Sequence, residues 1–92
     1  MFYERVKELR LSRNMNQVQF AKRIAASKQS VSNWESAYLQ PSIDVLIRIC
    51  KTFHVSADYM LGLDDRRTLD VTGLDSNQIA HLQAIISDIL GE

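Results

Sequence analysis

The sequence predicts an all-α fold, and three observations carry that prediction. Apolar residues recur at three- and four-residue spacing along nearly the whole chain, a polar capping residue precedes most of these stretches, and one proline with three glycines leaves little material for sheet hairpins. Ninety-two residues are enough for one small domain with a short appendage, burying a modest core and no large cavity.

The first helix is expected from about Phe2 to Arg13, with Phe2, Val6 and Leu9 inward, most basic residues outward, and Asn14 at its end. Asn16 then stands three residues before Gln19, the spacing of a capping box, and Met15 with Phe20 forms the matching hydrophobic staple, so a second helix starts at Gln17. Ala25 and Ala26 make a turn. Ser27 caps a third helix ending near Glu35 or Ser36. Pro41-Ser42 marks the start of a fourth helix, whose Ile43, Leu46, Ile47, Ile49, Cys50 and Phe53 are expected to be mostly core, with His54 closing it. Ser56 caps a short fifth helix stapled by Val55 and Met60, favoured by Asp58 in its first turn and ending at Gly62. The charged stretch from Asp64 to Thr72 lacks a period and reads as a linker, with Leu63, Leu69 and Val71 available to touch the domain. Asp75 with Gln78 repeats the capping-box spacing, and a last helix follows from about Ser76 to Leu90, before Gly91. This divides the chain into a domain at 1–63, a linker at 64–74 and a C-terminal helix at 75–92.

The second and third helices form the most informative pair. Phe20 and Ile24 lie four apart on the inner face of one, and Val31 and Trp34 three apart on the inner face of the other. Ala21 between them is small enough to let the backbones cross closely. That leaves Lys28, Gln29, Ser30 and Asn33 outward, all polar and of moderate length, a face suited to base edges. Lys28 can donate to guanine O6 and N7, Gln29 and Asn33 can pair with adenine through two hydrogen bonds, and Ser30 can reach a base or a phosphate.

Net charge is zero but unevenly placed. From Met1 to Trp34, seven Lys and Arg face two Glu, a balance of +5, whereas from Leu63 onward two Arg face six acidic residues, a balance of −4. The basic end can meet phosphate while the acidic end points away. A single cysteine, Cys50, allows no internal disulfide and fits a reducing compartment, so a cytoplasmic location is expected. No apolar run approaches the roughly 18 residues of a membrane helix.

The segment Gln17 to Trp34 with its neighbours resembles the helix-turn-helix of lambda repressor-like, phage-repressor-type transcriptional regulators. The resemblance covers about Val6 to Gly62: Arg-Val-Lys-Glu-Leu-Arg at the front, Gln17, Phe20-Ala21, Ser27, Val31-Ser32-Asn33-Trp34-Glu35, Pro41-Ser42-Ile43, and Val55 through Gly62. It implies a five-helix domain with its third helix in the major groove. It also implies that Gln17 and the exposed backbone N–H groups near it face a phosphate, and that Arg10 and Glu35 join the first helix to the end of the third. Arg10, Ser27 and Tyr38 are the other expected phosphate contacts. Two departures stand out: Ala25 and Ala37 occupy positions where similar proteins often have glycine, and the loop Tyr38-Leu39-Gln40 lacks their frequent lysines.

Other readings have less behind them. Trp34 is expected in the core rather than stacked on a base. Cys50 and His54 stand four apart, but two ligands do not close a metal site, and no cofactor is expected. The sequence shows no nucleophile elbow, phosphate loop or carboxylate pair in an apolar setting, so no enzyme is expected. The function expected is sequence-specific binding of double-stranded DNA by a homodimer on a palindromic operator, regulating transcription, most simply as a repressor. Ile79, Leu82, Ile86 and Ile89 form a stripe too apolar for water and are the expected dimerisation surface. The alternatives are an antitoxin-like regulator that also binds a protein partner, and a helical adaptor that no longer grips DNA.

Overall fold

The computed structural model describes residues 1–66 and 68–92; Arg67, within the expected linker, lies outside the described residues. Among the described residues six helices follow one another: α1 (Phe2–Ser12), α2 (Gln17–Arg23), α3 (Lys28–Glu35), α4 (Ile43–Phe53), α5 (Ala57–Met60) and α6 (Ser76–Leu90). No strand occurs among the described residues.

The caps are those the spacing predicts. Asn16 and Asp75 each form a reciprocal capping box, with Gln19 and Gln78 respectively, and Ser27, Ser42 and Ser56 each accept a hydrogen bond from the backbone N–H three residues on. At the C-termini, the N–H groups of Met15, Ala26 and Tyr38 donate to the carbonyls of Arg10, Ala21 and Asn33, closing Schellman turns on α1, α2 and α3. Such a turn needs one left-handed residue. Asn14, Ala25 and Ala37 supply it, at φ of 57°, 54° and 62°. For the two alanines this costs about 1–2 kcal/mol each in intrinsic backbone preference.

Phe2, Val6, Leu9, Phe20, Ala21, Ile24, Val31, Trp34, Ile49, Phe53 and Met60 form one core contributed by α1 to α5 and the cap of α2. Phe20 and Phe53 stack at its centre, with ring centroids 4.9 Å apart and planes 6° from parallel. Each fully buried side chain of this size contributes about 1.5–3 kcal/mol.

Two parts of the sequence reading need correction. Ile43 and Ile47 are 75% and 45% exposed rather than core. At about 100° per residue they lie roughly 120° and 160° around α4 from Ile49, outside the stripe that Ile49 and Phe53 turn to the core. Leu63 and Leu69 are also exposed, at 75% and 68%, and Val71 stands at 36%. The segment after α5 is attached instead through polar groups: Asp64 and Asp65 to Arg5, and Asp70 to His54, whose Nδ1 lies 3.5 Å from Asp70 Oδ2.

Helix α6 contains no buried residue. Ile86 and Ile89 are 44% and 78% exposed and Ile79 and Leu82 are half-buried, so the C-terminal half of the apolar stripe is open to solvent in the single chain. The radius of gyration, 14.9 Å, agrees with a helix standing off the domain, because a compact chain of this length would have about 12 Å.

Candidate nucleic-acid interface

The reading surface is built from α2 and α3. Ala21, 2% exposed, lies in the core between them, while Val31 and Trp34 anchor α3 from beneath. Ser27 fixes the start of α3 twice: its Oγ accepts from the Ser30 N–H at 3.0 Å and its hydroxyl pairs with Ser30 Oγ at 2.9 Å. Lys28 and Gln29 are exposed and Asn33 is partly exposed. Gln29 Nε2 donates to Asn33 Oδ1 at 3.0 Å, which aligns the two amides along one helix edge while each keeps donor and acceptor capacity. The four expected base contacts therefore belong to one short helix, with the first three at its N-terminal end. Tyr38, 76% exposed, follows the turn at the other end.

Behind this face sits a charged brace. Arg10 Nε and Nη2 donate to the two carboxylate oxygens of Glu35 at 2.7 and 2.9 Å, and Arg10 Nη1 donates to the Met15 carbonyl at 2.9 Å. Gln17 Nε2 adds a longer bond to Glu35 Oε1 at 3.3 Å. The Arg10 and Glu35 side chains are only 11% and 6% exposed. Glu35's hydrogen bonds hold the Arg10 guanidinium above its ordinary pKa, against an opposing effect of burial. One carboxylate thus ties α1 and the first residue of α2 to the last residue of α3. Arg10, expected at a phosphate, directs one N–H from each of its three nitrogens to partners inside the protein, with its side chain nearly covered. Gln17, Ser27 and Tyr38 remain at the edges of the surface.

The family model described as Helix-turn-helix matches residues 6–60, which span both α2 and α3. The chain belongs to the lambda repressor-like helix-turn-helix family. Among the relatives of this helix-turn-helix chain is the uncharacterized HTH-type transcriptional regulator YobD of Bacillus subtilis (strain 168), 32% identical over 65 residues, covering 71% of this chain and 58% of that one. The HTH-type transcriptional activator BcrR of Enterococcus faecalis is 34% identical over 76 residues, covering 83% and 37%. The chain thus spans little more than half, or less, of these relatives' lengths. Among solved structures, the P22 c2 repressor in complex with a synthetic operator superposes with a TM-score of 0.65 at 26% identity, covering 70% of this chain and 97% of that one. A transcriptional regulator from Listeria innocua, 20% identical, shares the fold over 97% of this chain with a TM-score of 0.65.

Elsewhere, no group of three or more His, Cys, Asp or Glu gathers as a metal site among the described residues, and no described helix is long and apolar enough to cross a membrane. Cys50 is half-buried, and burial pushes its thiol pKa up. The sequence reading gave Arg5 no contact of its own, naming it only in the charge balance and at the front of the family resemblance. Its contacts lie 54 to 60 residues away, and no local spacing signals them.

Proposed function

We propose that this helix-turn-helix chain binds double-stranded DNA sequence-specifically as a homodimer and regulates transcription from a palindromic operator. The observation that carries the reading is the third helix: a polar outer edge of Lys28, Gln29, Ser30 and Asn33 on a helix whose orientation is fixed by the Arg10–Glu35 brace. Base-reading needs side chains of this type held in place before the DNA arrives. The likeness to a repressor solved on its operator supports DNA as the ligand.

Gln17 at the first position of α2, with Ser27 and Tyr38, would hold the backbone and set the register, while α3 reads bases. Repression by excluding the transcription machinery requires only occupancy of the site. Pairing of α6 through Ile79, Leu82, Ile86 and Ile89 would bury about four aliphatic side chains per copy at roughly 1.5–3 kcal/mol each, enough to offset the cost of association. Two copies related by a two-fold axis would present their third helices about 34 Å apart along one face of the DNA.

Selection of bound sequences from a pool of random duplexes tests the reading. The expected product is an inverted repeat whose half-sites are separated by about one helical turn. Recovery of unenriched sequence would refute it and favour an adaptor role for the same scaffold.

A further inference from the structure

Two apolar surfaces of the single chain lie uncovered, one on α4 and one on α6. On α4, Ile49 and Phe53 face the core, Leu46 and Cys50 beside them are partly covered, and the same flank runs on to the exposed Ile43 and Ile47. At about 100° per residue, Leu46, Cys50, Ile43 and Ile47 succeed one another at roughly 60°, 100°, 120° and 160° from Ile49, one continuous apolar flank. Lys51 stands one turn after Ile47, and neither it nor Arg48 enters an ion pair among the described residues.

On α6, the seam of Ile79, Leu82, Ile86 and Ile89 takes up only about 80° of the circumference, but Ile85 and Leu90, both exposed, widen the apolar band to about 140°. Two paired helices need only the narrow stripe, whereas a band wider than about 100° is that of a helix packed on a larger apolar surface. The helix carries no Lys or Arg, and Asp88 stands in its last turn. In the single chain α6 buries no residue, and the molecule extends to 41 × 24 × 23 Å, so α6 leaves the α4 flank of its own chain open.

We infer that in the dimer the end of α6 bearing Ile85 and Leu90 lies on the Ile43–Ile47 flank of α4 in the second copy, so that each copy clasps the reading domain of the other. The inference rests on the proposed homodimer and extends its α6 seam. A second copy fits as occupant because every chain carries both halves of the contact, and a two-fold axis then forms it twice. The halves agree in length, with about 6 Å of helix rise between Ile43 and Ile47 and about 7.5 Å between Ile85 and Leu90. They agree in charge as well, since Arg48 and Lys51 border one, while Asp88 and the negative C-terminal end of α6 border the other. Because α4 shares its core with Val31 and Trp34 of α3, the clasp would fix both reading helices relative to the α6 pair.

The experiment is sedimentation equilibrium on two variants of the full chain, alone and mixed. Ile43→Lys/Ile47→Lys puts cations on the α4 flank, and Ile85→Glu/Leu90→Glu puts anions on α6 outside its seam. All four positions are exposed in the single chain, so both variants should keep the wild-type helical circular dichroism. Each variant alone should dimerise at least roughly thirtyfold more weakly than wild type, through loss of apolar burial on both sides of the dimer. An equimolar mixture should dimerise within about threefold of wild type, because the heterodimer has one unaltered clasp and one in which lysines meet glutamates. Weakening of both variants without rescue on mixing overturns the inference, and is the result of α6 folding back on its own domain. Wild-type dimerisation by the α4 variant overturns it equally. If either double variant fails to fold, Ile47→Lys and Leu90→Glu decide the matter by the same mixing. A monomeric wild type overturns the proposed homodimer, and the inference with it; a dimeric wild type without rescue overturns the inference alone.

Discussion

Removing the Glu35 carboxylate should cost far more than a surface charge does. In Glu35→Ala, Arg10 keeps only its bond to the Met15 carbonyl, and its nearly covered guanidinium loses both charge-assisted hydrogen bonds; Gln17 loses its partner as well. Breaking one side of a fully buried pair costs about 3–5 kcal/mol, and an exposed pair contributes at most about 1. With side chains 11% and 6% exposed, the brace lies close to the buried limit, so after a discount for residual solvent the loss should be about 2–4 kcal/mol. At roughly 4–8 °C per kcal/mol for a domain of this size, the melting temperature should fall by roughly 8–32 °C. A double-mutant cycle with Arg10→Ala should return a coupling of about 2 kcal/mol or more, read by urea denaturation of the four chains. Replacing both residues, as in Arg10→Met with Glu35→Leu, should recover most of the stability because no charge is then stranded. Operator affinity should stay low in that double variant, since nothing then orients α3 through hydrogen bonds. A coupling below about 0.5 kcal/mol would refute this reasoning.

Ala25→Gly and Ala37→Gly should each stabilise the chain by up to about 1 kcal/mol, because relief of the left-handed strain exceeds the entropy that glycine adds to the unfolded state; a loss of stability in urea melts would count against it. A chain stopped after Arg67 should remain folded yet run as a monomer in light scattering while the full chain runs as a dimer; equal masses would remove α6 from the dimer. Asp64 is held below the ordinary carboxylate range by hydrogen bonds from Arg66, and Asp70 by hydrogen bonds from Thr72. Their contribution is therefore complete above an ordinary carboxylate pKa of about 3.9 and lost as pH falls through the lower folded values, which carboxyl NMR titration would show. Cys50 should react with a thiol-alkylating reagent at pH 8 more slowly in the folded than in the urea-unfolded chain, because burial raises its pKa.

Local rules made much of this fold legible. The capping boxes at Asn16 and Asp75 and the serine caps at Ser27, Ser42 and Ser56 each involve residues three apart, so sequence spacing suffices to find them. The inward faces of α2 and α3 were legible for a related reason, since Phe20, Ile24, Val31 and Trp34 repeat at the helical period. Ile43 and Ile47 were misread because periodicity marks an apolar face but not how far a partner covers it; α4 has apolar residues on more of its circumference than the core can reach. Arg5 and its acceptors were invisible because contacts across 54 to 60 residues leave no trace in local spacing. The pairing of Arg10 with Glu35 was expected from the resemblance, but not how nearly the two side chains are covered, which depends on the elements packed around them.

The proposed function has α3 read bases through Gln29 and Asn33. It is tested most directly by measuring the affinity of wild type, Gln29→Ala, Asn33→Ala and Gln17→Ala for the selected operator and for single-base variants of it at fixed salt. Gln29→Ala and Asn33→Ala should each lose about 1–3 kcal/mol on the operator and relax preference at one base pair, while Gln17→Ala should weaken binding evenly across all sequences. Unchanged selectivity after loss of both Gln29 and Asn33 would contradict the assignment.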